Sequence, residues 1–146
     1  MRLRSAVLLG LLLIGLGLLL TRCPANRDGM PGQLAQSMEE TTAAARSGAL
    51  SLDLWTQRRA TAHLTSVSLS DARDEVVRAY KGIADLRADD PVDLHRQRML
   101  TTSMTSIIGQ LNAAVATVRT ITSQPSAEKV RSDLIASADA LESGYR

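Results

Sequence analysis

The sequence predicts an all-α protein, with an N-terminal membrane helix followed by an up-and-down bundle of three or four antiparallel helices. Three observations carry that prediction. Apolar residues recur at steps of three and four over most of residues 33–146, the spacing of one helix face. Proline is absent between Pro31 and Pro91 and the glycines there are scattered, so the frequent turns of a β-rich domain have no place. Finally, there is no Phe, and Trp55, Tyr80 and Tyr145 are the only aromatic residues. A core must therefore be built from Leu, Val, Ile, Met and Ala, which fill narrow helix–helix seams.

The N-terminus comes first. Arg2 and Arg4 precede an uncharged stretch, Ala6 to Leu20, of mostly Leu, Gly, Ile and Val. A basic start followed by an apolar run directs a chain to export. The run is short for a span, which needs roughly 17–25 residues, but Ser5 and Thr21 extend it and flanking arginines can snorkel. Arg2 and Arg4 favour a cytoplasmic N-terminus, with the rest of the chain outside the cytoplasm. Residues 1–22 are thus expected to be a signal anchor or signal peptide, and three fates are open: retention, cleavage after Ala25, or lipid attachment at Cys23. Leu19-Leu20-Thr21-Arg22-Cys23 resembles a bacterial lipobox, with Arg22 standing where that motif has a small residue. As the single cysteine, Cys23 is limited to intermolecular disulfides. Residues 23–32 have the Pro, Gly and Asn content of a linker.

Four periodic runs follow. Leu34, Met38, Ala45, Leu52 and Trp55 form a weak one, which either breaks near Val67-Ser68 or flows into the next. Leu69, Ala72, Val76, Tyr80, Ile83 and Leu86 form the second, with Ser70 as the expected cap and Asp71, Asp74 and Glu75 as an acidic first turn. The third is the clearest: Leu100, Met104, Ile107, Leu111, Ala114, Val118 and Ile121 step by four and three in alternation, the spacing of a single packing seam. Asp90 is placed to cap it, Pro91 suits its first position and Asp93 its first turn. The fourth, opened by Pro125, runs through Ala127, Val130, Leu134, Ala138, Leu141 and Tyr145. Asp74 with Arg78 and Glu142 with Arg146 have the spacing of stabilising pairs. Short connections at Ala88–Asp90 and Ser123–Gln124 make neighbouring helices antiparallel. Ala-rich seams, with Thr101, Thr102, Thr105, Thr117, Thr120 and Thr122 nearby, suggest a thin core that a second copy or a partner completes.

Charge excludes one class of function. The chain holds 17 basic and 15 acidic residues. Setting aside Arg2, Arg4 and Arg22 leaves 14 basic against 15 acidic. That is no excess with which to neutralise phosphates, so a nucleic-acid partner is not expected. Arg outnumbers Lys 15 to 2, a mark of GC-rich coding.

No catalytic motif is present: the chain lacks HExxH, CxxC, GxSxG and glycine-rich phosphate loops. His63 and His95 have no His or Cys at ligand spacing, whereas zinc wants three or four ligands. No cofactor is expected. The most unusual local group is Trp55, Arg58, Arg59 and His63. On a continuous helix Trp55, Arg59 and His63 share one i,i+4 row flanked by Arg58. Its functional reading is a partner-docking patch, with Trp as anchor and the arginines gripping an anion. Its structural reading is an arginine stacked on a half-buried Trp, with His in solvent. The run His95-Arg96-Gln97-Arg98 reads as a solvated face or a headgroup contact. Asp71, Asp74 and Glu75 read as helix-start chemistry rather than acid–base catalysis, and Met38, Met99 and Met104 as core.

On the Leu-Leu-Thr-Arg-Cys segment, the Arg-heavy composition and the Ala/Thr-rich helices, the chain resembles the small exported or lipoprotein-like helical proteins of GC-rich actinobacteria. The resemblance implies a location and a plan, and no activity or functional residue. The resulting expectation is a non-enzymatic, membrane-tethered interaction or accessory protein, with a protein partner or a second copy. A ligand-binding or sensing bundle and a phage lysis factor of the spanin type are the alternatives.

Overall fold

A computed structural model describes residues 29–145. The signal segment, Cys23 and the terminal Arg146 lie outside these residues, and so do the expectations that fall on them. Four helices follow one another: α1 Met30–Thr56, α2 Ala62–Ala84, α3 Pro91–Val118 and α4 Ala127–Tyr145. Each packs against the next, α4 closes back on α1, and α1 also meets α3 across the diagonal. The result is an antiparallel four-helix bundle. At 28 residues, α3 sets its length at about 42 Å.

α1 begins three residues inside the stretch whose composition suggested a linker. Met30, Pro31 and Gly32 are helical, because proline in the first turn lacks only an N–H that would have had no partner. Its periodicity is weak because its buried face is made of small and polar residues: Ser37, Thr41, Thr42, Ala44, Ala45, Gly48 and Ala49, between Leu34 and Leu52. Thr41 Oγ1 donates to the Ser37 carbonyl at 2.7 Å and Thr42 Oγ1 to Glu39 at 3.0 Å. These back-bonds make buried hydroxyls tolerable. The small face also lets α3 approach. A Cβ on Gly48 would stand 2.6 Å from Leu111 Cδ2.

α2 corrects the expected start at Ser70. Thr61 is the cap, its side chain accepting from the Leu64 N–H at 3.2 Å. Ser70 lies two turns further in and donates to the Ser66 carbonyl. The first two turns escape notice because the residues they bury are Thr65 and Ser66, which carry no apolar signal. Asp71, Asp74 and Glu75 are therefore mid-helix residues, and Asp74 pairs with Arg73 at 2.7 Å rather than with Arg78.

α3 starts as predicted, Asp90 Oδ1 accepting from the Val92 N–H at 2.7 Å. Its seam is fully buried from Leu100 through Ala114, with Val118 nearly so. Ile121 does not continue it. The helix ends at Val118, and Ile121 is 75% exposed. Ser126 opens α4, accepting from the Lys129 N–H at 3.3 Å, and Val130, Leu134, Ala138 and Leu141 face the core. Of the threonines expected along the seams only Thr117 is buried; Thr101 and Thr105 bond back to their own helix. The large core side chains, among them Leu34, Leu69, Met104, Ile107 and Leu134, are enclosed within one chain. The aromatic residues pack partly buried against this core.

At the end where α1 begins, all four helices are tied together. Gln97, in the run expected to be solvated, is buried and donates to the Ile83 and Leu86 carbonyls at 2.6 and 2.8 Å. It thereby satisfies the Leu86 carbonyl just past α2 and adds a second donor to the Ile83 carbonyl, which also accepts from the Leu86 N–H at 3.3 Å. Arg96 stacks over the Tyr145 ring at 5.1 Å, and the Tyr145 hydroxyl donates to the Pro31 carbonyl at 3.4 Å. Burial pushes the Tyr145 phenol above its ordinary 10.0, with Arg96 opposing the shift. The folded state thus holds this proton more firmly than the unfolded chain. Its contribution to stability is complete below the unfolded value and is lost as pH rises through the folded one. We expect the melting temperature to decline as pH passes 10.0, and the decline to be smaller in Tyr145→Phe. Equal declines in thermal melts would show that Tyr145 contributes nothing to it.

Candidate functional site

The opposite end, far from Met30, gathers the α1–α2 and α3–α4 loops. Here the expected row of Trp55, Arg59 and His63 is broken. α1 stops at Thr56, the Arg58 N–H bonds the Trp55 carbonyl, and the Arg59 N–H reaches Leu54. That paired pattern is the turn that terminates a helix with one left-handed residue. Arg58 is that residue, with φ 58°. His63 belongs to the first turn of α2. The four residues do share one end of the bundle, but not one helix face.

α3 ends in the same way. The Thr120 N–H bonds Thr117 and the Ile121 N–H bonds Ala116, with Thr120 at φ 57°. Glycine normally occupies such a position, since a side chain there costs roughly 1–2 kcal/mol. Among the described residues Arg58 and Thr120 are the non-glycine residues with positive φ. Both stand at this end, one in each loop.

Trp55, Thr56 and Arg58 line a surface hollow of about 480 Å³ with Thr117, Ser123, Ser126, Ala127 and Glu128. Its walls thus come from both loops. Three of its four hydroxyls are engaged in local structure: Thr56 donates to Asp53, Thr117 to Pro125, and Ser126 caps α4. His63 lies beside a second hollow of about 260 Å³, with Val67, Val118 and Arg119. The expected stacking of an arginine on a tryptophan is not formed among the described residues; the cation–π pair is Arg96 with Tyr145.

Charge divides the two ends. Each holds two helix N-termini and two C-termini, so the helix dipoles offset one another and side chains decide the sign. Residues 57–61 and 119–126 contain Arg58, Arg59 and Arg119 and no acid. Residues 85–90 contain Asp85, Asp89 and Asp90 against Arg87. Other charged groups near the far end are Asp53, which pairs with Arg131 at 3.5 Å, Lys129, which pairs with Asp133, and exposed Glu128. The three loop arginines are exposed and have no ion-pair partner among the described residues. Apolar side chains share this end: Ile121 at 75% exposure, Leu64 at 57% and Val67 at 43%.

Neither histidine assembles a metal site. His63 starts α2 beside Val118, while His95 is in the first turns of α3, roughly 35 Å away along that helix. No group of three or more His, Cys, Asp or Glu residues converges among the described residues. Sequence reasoning missed Thr120, Ile121 and Arg119 as members of this end. Ile121 continued an apolar period, and nothing local marked the helix stop that turns it outward.

No protein family, no curated protein and no solved structure matches the chain.

Proposed function

We propose that the protein is a non-enzymatic, membrane-tethered helical accessory protein that stands outside the cytoplasm and engages a protein partner. The basic and apolar sequence of residues 1–22 supports the tether. None of the described helices is long and apolar enough to cross a membrane. The observation that carries the reading is the contrast between the two ends of the bundle. The end beside Met30 is tied down by Gln97, Arg96 and Tyr145. The end away from it gathers exposed Ile121, Leu64 and Val67, where the tied end exposes Val92, and its loop arginines have no ion-pair partner among the described residues, a composition suited to an interface anchor.

Native mass spectrometry tests this directly. The full chain, tagged at its C-terminus and purified from its own host in mild detergent, should carry a second protein at fixed stoichiometry. A bare chain under the same conditions would contradict the reading. The mass of the chain itself reports whether residues 1–22 are retained, clipped or replaced by lipid at Cys23.

A further inference from the structure

We infer that the far end of the bundle docks an acidic segment of a partner protein whose apolar side chains flank its carboxylates. The inference rests on the accessory reading above and adds the chemistry of the partner. Arg58, Arg59 and Arg119 would pair with the carboxylates; Trp55, Ile121, Leu64 and Val67 would cover the apolar groups.

Charge complementarity selects this occupant. The two loops carry three arginines and no acid, and none of the three has an ion-pair partner among the described residues; Arg78, Arg87 and Arg98 are unpaired there too, so what sets the loops apart is the absence of acid within them. Arginine forks match carboxylate geometry and suit interfaces better than lysine. A phosphate polymer would satisfy the arginines but leave Ile121 and Leu64 with nothing apolar to meet, and the lipid surface of the proposed tether lies at the other end of the bundle. A second copy docking through the same end would bring the same arginines together and repel, and copies tethered in one membrane stand side by side, which keeps the acid-rich 85–90 loop of one from the far end of another. An acidic, apolar-flanked protein segment satisfies both halves of the surface.

The backbone supplies an independent observation. Arg58 and Thr120 hold left-handed conformations that glycine would adopt without strain. Among the described residues Arg58 forms no ion pair, and Thr120 Oγ1 donates to the adjacent Arg119 carbonyl. Strain of this kind gathers at binding surfaces, where the side chain serves something other than stability. Arg58→Gly should accordingly raise the melting temperature by about 4 °C while weakening docking.

The experiment uses the full chain in its host membrane. A photo-crosslinking residue is installed at position 121, on the far end, and separately at position 50, on the exposed flank of α1. The expected result is an adduct from position 121 to one protein, through a peptide in which Asp and Glu outnumber Lys and Arg beside apolar residues. Combining Arg58→Glu with Arg119→Glu should lower its yield about tenfold or more while lowering the melting temperature by only a few degrees, since both stand at helix C-termini where the dipole favours a cation, and Arg58→Gly should lower the yield while raising that temperature. An adduct to a neutral or basic segment, or to lipid or an anionic polymer, overturns the partner chemistry. So does an adduct indifferent to the charge reversals. Adducts from position 50 alone overturn the far-end site and leave the accessory reading standing. No adduct from either position, together with a bare chain in the native mass measurement, removes both.

Discussion

Ile107→Asp unfolds the bundle. Ile107 lies midway along α3 with no solvent exposure, one turn from Met104 and from Leu111, which are equally enclosed. A carboxylate there has no cation within the seam to pair with. Placing an unpaired charge in such a site costs several kcal/mol, against a total stability of roughly 5–15 kcal/mol for a domain of this size. The lost apolar contacts add to the cost. The far-ultraviolet circular dichroism of the helices should collapse, or its thermal midpoint fall by tens of degrees. Ile107→Val is the control, with an expected loss of about 1 kcal/mol. A wild-type melt for the Asp variant would mean that the 100–118 seam does not face the core.

The second large effect depends on background. Gly48 is buried in the middle of α1, and a Cβ built on it falls 2.6 Å from Leu111 Cδ2, with Leu69 at 3.5 Å and Leu134 at 3.7 Å. Alanine is the better helix former by about 1 kcal/mol. Here the methyl must displace a leucine tip that is itself fully enclosed, and overpacking typically costs about 1–3 kcal/mol. Gly48→Ala should therefore destabilise. Leu111→Ala alone should destabilise more, by about 2–5 kcal/mol, because it leaves a cavity. Placed in that cavity, Gly48→Ala should turn stabilising, since the methyl then fills space and the helix propensity is gained in full. Chemical denaturation of the two single variants and the double variant measures the coupling. Additive changes would show that α1 and α3 do not touch at this point.

How far the fold was legible depended on what each helix buries. α3 and α4 were clear because their inward positions are Leu, Ile, Val and Met at regular steps, and because Asp90 and Pro91 mark a start that the Asp90–Val92 hydrogen bond bears out. α1 was faint and the first turns of α2 were invisible for the same physical reason. Their inward faces carry Gly48, Ala45, Thr41, Thr65 and Ser66, which pack by closeness rather than by bulk. Periodicity of hydrophobic residues does not register such a face. The candidate site was legible in composition but not in shape. Trp55, Arg58, Arg59 and His63 do belong to one end, yet the row drawn through them assumed a helix that Arg58 terminates. A left-handed arginine is an uncommon terminator, and no local pattern announces one. The contribution of Arg119, Thr120 and Ile121 depends on α4 closing back on α1, a long-range contact that spacing along the chain does not encode.

The partner, its chemistry and the orientation of the two ends all rest on one claim, that the bundle stands outside the cytoplasm. A membrane-impermeant maleimide tests it most directly. With Cys23→Ser removing the natural thiol, Thr102→Cys places a single reporter on the exposed flank of α3, away from the proposed docking end. Labelling in intact cells is the predicted result. Labelling only after the cells are lysed would place the bundle in the cytoplasm and contradict the account.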